Sequence, residues 1–143
     1  MEEELFVINH AGNVLFHYCP ESKHNGRDDN ASHMIGSFLS AILQFSKMLH
    51  DDEISNFEME KNLIVLTKSD TFNLYYVLFS NKENKKKKKA LQQKVGRLRE
   101  LFEKKFPQDV IADWNGDQSV FYNFKEDLEK DLKKKMNQFF ENF

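Results

Sequence analysis

Residues 30–50, NASHMIGSFLSAILQFSKMLH, restrict the fold of this chain more than any other segment. Apolar side chains recur here at steps of three and four, and they fill two adjacent rows of a helix surface. An apolar arc of that width predicts a central helix that is covered by other layers on most of its surface. Only a narrow polar stripe remains, formed by Ser37, Ser40, Gln44 and Lys47.

The segments on either side of this helix predict β-strands. Residues 1–19 contain two short apolar runs joined by an Asn/Gly turn, which is typical of a β-hairpin. Residues 54–80 contain three runs with short turns between them, which predicts an antiparallel meander. In most of these runs both the odd and the even positions are apolar, so the strands should be covered on both faces.

Two further helices are expected at residues 85–106 and 119–143, each with a single apolar stripe. The predicted order over residues 1–143 is therefore β-β-α-β-β-β-α-α, in one domain of a size that is usual for a single core. A sheet covered on both faces needs two helical layers, so the predicted class is α+β (α/β) with an α/β/α arrangement.

Several stretches resemble longin-type domains, which are relatives of the roadblock and profilin-like folds. The stretches are LFVINHAGNVLF, GSFLSAILQFSK, LYYVLF and RLRELFEKKF, and the ending DWNGDQSVFYNFKEDLEK looks like archaeal longin-like proteins. The resemblance implies a three-layer fold around a five-stranded antiparallel sheet of order 2-1-5-4-3. It also implies a role in small-GTPase regulation or in vesicle-traffic assemblies, although fold likeness alone does not choose between them.

Composition places the chain among soluble globular proteins. Charged residues make up 31% of the sequence, the formal net charge is −2, and no apolar run is long enough for a membrane span. The charge is unevenly distributed, with 11 acids and 4 bases in residues 1–61 and 3 acids and 11 bases in residues 82–105. A single cysteine and an acidic start predict a cytoplasmic protein, with peripheral attachment to a membrane as an alternative.

The sequence contains no motif that predicts catalysis. It has no nucleophile elbow, no glycine-rich phosphate loop and no zinc-protease motif, so we expect neither an enzyme nor a bound cofactor. The densest group of metal-ligand residue types fits no standard zinc spacing, and we expect a structural or incidental role for its members. These residues are His10, His17, Cys19 and His24.

The predicted site is a protein-interaction surface at the weak strand 54–60, where the chain would pair with a second copy or a related subunit. The other expected protein partner is a small GTPase. Its strand residues are Ile54, Phe57 and Met59, and the polar stripe of the central helix should lie beside them. The alternative for this strand is that Glu58 and Glu60 blunt a sheet edge and keep the domain monomeric.

A lysine run offers a second function, as a basic patch that binds an anionic membrane or nucleic acid. Nucleic acid is not an expected partner, because no aromatic residues are interleaved with the lysines to stack on bases. The plain alternative is a solvated loop and first helical turn. The residues of the run are Lys85, Lys86, Lys87, Lys88 and Lys89.

Overall fold

A computed structural model of the chain describes residues 3–19, 56–58, 62–81 and 87–141; for residues 56–58, 62, 81 and 135–141 only the backbone is described. The strands are β1 (Glu4–Asn9), β2 (Val14–Tyr18), β3 (Asn56–Glu58), β4 (Asn62–Ser69) and β5 (Leu74–Asn81). The helices are α1 (Lys88–Lys105), α2 (Gln108–Ala112) and α3 (Phe124–Glu141), with a 3-10 helix at Gln118–Phe121.

The strands form one antiparallel sheet of order β2-β1-β5-β4-β3. The α+β class is therefore confirmed. Four strands of five to eight residues make up the body of the sheet, and β3 is only three residues long. The expected sheet of five full strands is shown only in part, because Asn56–Glu58 is all that is described of the strand predicted at 54–60.

The hairpin between β1 and β2 is closed by side-chain and backbone bonds of one asparagine. Asn9 Oδ1 accepts from the backbone N–H of Ala11 at 3.0 Å and from that of Asn13 at 2.9 Å. Gly12 adopts a φ of +88°, a conformation that side chains with a Cβ rarely take. The turn residues thus fix where β2 begins.

Both faces of the sheet are apolar and buried, as the sequence predicts for two-sided strands. One face carries Leu5, Val7, Val65, Tyr76 and Leu78, and every described helix packs against it. The opposite face carries a second cluster made of strand residues. These residues are Phe6, Ile8, Val14, Ile64, Leu66, Tyr75 and Val77.

The central helix predicted at 30–50 would cover that second face, but it lies outside the described residues. None of the described helices contributes to the second cluster. The three-layer arrangement therefore stays a prediction. None of the described helices is both long and apolar enough to cross a membrane.

On the covered face, α1 contributes a buried stripe at helical spacing, namely Leu91, Val95, Leu98 and Phe102. The helix begins at Lys88, three residues later than predicted, and it ends before Pro107, which lies in extended backbone. The final helix also differs from the prediction. Instead of one helix from residue 119, the chain forms the 3-10 helix and then starts α3 at Phe124.

Candidate protein-interaction surface

β3 is the outer strand on one side of the sheet. It pairs with β4 through Asn56 with Val65, Phe57 with Ile64, and Glu58 with Leu63. Among the strands that the structure describes, none pairs with the other side of β3. An outer strand has backbone groups that no described neighbour uses, and such groups are where a strand from another molecule extends a sheet.

The backbone groups of β3 that point outward can be deduced from a contact on β4. The carbonyl oxygen of Lys68 accepts a bond from Arg99 Nη1 at 3.2 Å, so this carbonyl points away from β5. The direction of the backbone N–H and C=O groups alternates from one residue to the next along a strand. The backbone groups of Ile64, four residues before Lys68, therefore also point away from β5 and toward β3. Phe57 is paired with Ile64, so its backbone groups bond to β4. The backbone N–H groups of its two neighbours, Asn56 and Glu58, therefore point outward.

Of the interaction residues predicted from the sequence, Phe57 lies in this outer strand. The others lie outside the described residues, so their place beside the edge stays a prediction. They are Ser37, Ser40, Gln44, Lys47, Ile54 and Met59.

The opposite edge of the sheet, β2, is covered at one end. The Asn9 N–H donates to the Asn13 carbonyl at 2.9 Å. The backbone groups of the next residue, Val14, therefore point away from β1. Its outward carbonyl oxygen accepts a bond from Gln118 Nε2 at 2.9 Å. The 3-10 helix Gln118–Phe121 thus lies where another strand would have to pair with β2.

A short network holds this 3-10 helix in place. The Asp117 carboxylate accepts the backbone N–H of Ser119 at 3.0 Å, and the Asp117 carbonyl accepts Trp114 Nε1 at 2.8 Å. Hydrogen bonds from the side chain and the backbone N–H of Ser119 lower the pKa of Asp117 from its ordinary value. Phe121 anchors the segment because its side chain is fully buried.

The Arg99 side chain that contacts β4 is itself held in place by a hydrogen bond to Glu103, which is also bonded by Tyr76. Arg99 Nε donates to Glu103 Oε2 at 3.1 Å, and the buried Tyr76 hydroxyl donates to the same oxygen at 2.9 Å. Burial, together with the bond to Glu103, raises the pKa of Tyr76 above its ordinary value, so the hydroxyl stays protonated as a donor. The Arg99 side chain therefore occupies the Lys68 carbonyl near the end of β4, beyond the span of β3.

The predicted basic patch coincides with the start of α1. Lys87 is the N-cap residue, it makes no capping bond with its side chain, and the first turn contains no acidic residue. Lys87 and Lys89 are exposed and Lys88 is half-buried, whereas residues 85 and 86 lie outside the described residues. Cations at a helix N-terminus oppose the helix dipole, so an anion near this turn would be favourable.

The described members of the histidine and cysteine group do not come together as a metal site. His17 Nε2 lies 3.7 Å from Glu4 Oε2, and its ring stacks on Phe6 with centroids 4.4 Å apart. His10 is exposed in the hairpin turn, and His24 lies outside the described part of the chain. Among the residues that were described, no group of three or more His, Cys, Asp or Glu side chains could hold a metal ion.

Sequence reasoning did not identify the two residues that cover sheet edges, Gln118 and Arg99. For Arg99 a weak signal existed, because Glu103 four residues later is the usual spacing of a helical ion pair. Gln118 lies in a segment without apolar periodicity and bonds to a residue 104 positions away. No local pattern predicts such a contact.

Comparison with known proteins gives no family assignment. The sequence matches no protein-family model and no curated protein. The longin-type resemblance thus remains an expectation from the quoted motifs, and the function has to be inferred from the two sheet edges and the charged surfaces.

Proposed function

We propose that this chain is a non-catalytic interaction module with a longin-type three-layer fold. In this proposal the β3 edge pairs with the same strand of a second copy, or with a related subunit. The resulting assembly acts in small-GTPase regulation or membrane traffic, on the cytoplasmic side. The GTPase or traffic context comes from the resemblance alone.

The observation that carries the proposal is the difference between the two edges of the sheet. Gln118 occupies the outward Val14 carbonyl on β2, and Arg99 occupies the Lys68 carbonyl on β4 beyond the span of β3. In the described chain, β3 is the outer strand without such a cover. Natural sheets protect edges that must not pair, so the edge on which the described residues place no such cover is the better candidate for pairing.

The competing interpretation is that β3 is protected by being short and by its charge. Very short edge strands and edge charges both discourage pairing, and β3 has three residues including Glu58. The two interpretations make opposite predictions for the oligomeric state. They also differ in what happens when the Glu58 carboxylate is removed.

The test is light scattering after size-exclusion chromatography over a concentration series, with two substitutions at one position. Glu58→Pro removes an outward N–H group, whereas Glu58→Ala removes the carboxylate and keeps that group. We expect a dimer for the wild type and for Glu58→Ala, and a monomer for Glu58→Pro. A wild type that stays monomeric alone and with longin-type subunits would refute the pairing.

The GTPase role needs a separate measurement, because pairing does not establish it. Purified small GTPases loaded with GDP or a non-hydrolysable GTP analogue should bind the immobilised chain with a preference for one nucleotide state. Equal or absent binding across the set contradicts this role and leaves the pairing result unaffected.

A second candidate function is contact with an anionic membrane surface through the lysine run. The observation that favours it is the start of α1, where lysines occupy a helix terminus that has no acidic residue and no side-chain cap. Each lysine near an anionic surface contributes up to about 1 kcal/mol, so a five-lysine run has a substantial effect.

Vesicle co-sedimentation tests this second function. Replacing Lys85–Lys89 with Gln should abolish binding to vesicles that contain phosphatidylserine, whereas the matched replacement with Arg should preserve it. Thermal stability should be almost unchanged in both variants. Equal binding of the Gln variant and the wild type at low salt would show that the lysine run is a solvated turn and not a membrane contact.

A further inference from the structure

A groove of about 540 Å³ lies between α1 and α3, on the helical layer of the molecule. Two ion pairs join its walls. Arg97 Nη2 bonds to Asp131 Oδ1 at 2.7 Å, and Lys105 pairs with Asp127. The half-buried Leu101 lies between the walls and contributes an apolar surface.

The charge left over in this groove is positive. Both aspartates in its lining are already paired, Asp127 with Lys105 and Asp131 with Arg97. The remaining cations are Lys104, Lys130 and Lys134, which are exposed and form no ion pair with any described residue. Among the described residues, three lysines of the lining are therefore without an ionic partner in a groove that also contains the apolar Leu101.

The helices position these three lysines in different ways. Lys104 lies in the last turn of α1, where a cation interacts favourably with the helix dipole. Lys130 and Lys134 are in α3 and four residues apart, a spacing at which like charges destabilise a helix. Glu126 precedes Lys130 by four residues, but the two form no ion pair in the structure. Asp127 and Asp131 precede these lysines by three residues, but their carboxylates bond to Lys105 and Arg97 across the groove, which leaves both lysines available to a ligand.

We propose that this groove binds an acidic amphipathic helix of a partner protein. Its carboxylates would pair with Lys104, Lys130 and Lys134, and an apolar side chain would pack on Leu101. A groove between two helices fits a third helix, which presents apolar and acidic side chains along one face. A phosphate ligand fits less well, since the unpaired cations are lysines and not the arginines that bind phosphate through two parallel bonds.

The groove lies between two helices and β3 is a strand at the sheet edge, so the two surfaces do not share residues. The proposal therefore holds whether or not β3 pairs with another strand. It adds a second partner of different chemistry, recognised by charge and one apolar contact and not by strand addition.

Fluorescence anisotropy with a labelled synthetic peptide tests the proposal on the full chain. The probe is a helical peptide of about 16 residues with Glu and Leu on one face, and its control has Gln in place of every Glu. The test variant is Lys130→Glu with Lys134→Glu. The matched control is Lys125→Glu with Lys133→Glu, which makes the same charge change on exposed lysines of α3 outside the groove.

We expect the Glu peptide to bind the wild type, more weakly as salt rises, and the Gln peptide to bind poorly. The test variant should lose affinity about tenfold or more, and the control less than about threefold, since exposed charges outside a contact act only through screened attraction. Circular dichroism should show that both variants keep the wild-type fold.

Three results would overturn the proposal. The first is no binding of the Glu peptide to the wild type at low salt. The second is an equal loss in test and control variants, which would mean that net charge alone attracts the peptide. The third is binding of phosphatidylserine vesicles, and not of the peptide, that depends on Lys130 and Lys134, which would assign the groove to a membrane surface.

Discussion

Replacing Phe102 with alanine tests whether the helical layer is held on the sheet as the structure describes. The Phe102 side chain is fully buried, and its ring lies 6.0 Å from that of Tyr76, 4.8 Å from Phe106, 5.5 Å from Phe121 and 5.2 Å from Phe124. These rings belong to a strand of the sheet and to three helical segments. The substitution thus weakens contacts among four segments at once.

The expected loss follows from burial and from the rings. Phe→Ala in a core costs about 3–5 kcal/mol, and a site surrounded by four rings collapses poorly around the cavity. Each aromatic pair adds roughly 0.5–1.5 kcal/mol, although these terms are not additive. We therefore expect the free energy of unfolding to fall by about 4–5 kcal/mol, a large fraction of the stability of an ordinary domain.

Urea unfolding at constant temperature measures this loss. With a slope of about 2 kcal/mol/M, the midpoint should fall by roughly 2 M while the slope stays constant. The control is Tyr122→Ala, because Tyr122 is the same kind of residue beside the cluster but is 63% exposed. Its effect should stay within about 0.5 kcal/mol. A loss under about 1 kcal/mol for Phe102→Ala, or equal losses for both variants, would refute the described packing.

Two smaller perturbations test the polar networks. Tyr76→Phe removes the hydroxyl that donates to Glu103 but leaves Arg99 on that carboxylate, so the free energy of unfolding should fall by only about 1 kcal/mol in urea titration. Ser119→Ala removes the largest cause of the lowered Asp117 pKa, and carboxyl NMR titration should show that pKa moving up toward about 3.9. The pKa of Asp117 is lower in the folded state than in the unfolded state, so its ionised carboxylate stabilises the fold. This stabilisation is present above the unfolded-state pKa and is lost as the pH falls through the folded-state pKa. The variant should therefore lose less stability than the wild type on acidification below pH about 4, and an unchanged NMR titration would contradict the contact.

The strands could be predicted because their signal is local. β1 and β5 are apolar at odd and even positions alike. Such a run is typical of a strand that is buried on both faces of its sheet. The segment between α1 and α3 could not be predicted in the same way. α2 and the 3-10 helix have five and four residues, too few for a helical period, and contacts such as the Asp117 cap determine where the 3-10 helix forms.

The site was predictable only in part, for a related reason. A charged, weakly apolar run suggests an edge strand, and β3 lies at an edge. Which edges are covered depends on Gln118 and Arg99, whose backbone partners are 104 and 31 residues away. The groove lysines likewise look like ordinary surface charges until α1 and α3 are placed side by side.

The unequal edges also determine what kind of assembly the proposed pairing can produce. If β3 paired with β2 of the next copy, the contact would be head-to-tail and would continue into a fibre. Gln118 and the 3-10 helix occupy the Val14 end of β2, so that contact is disfavoured. Pairing of β3 with β3 uses the same surface twice and closes after two copies. The scattering mass should therefore rise with concentration from 17.0 kDa to a plateau at about 34 kDa, and continued growth beyond this value would show that the β2 edge is not closed.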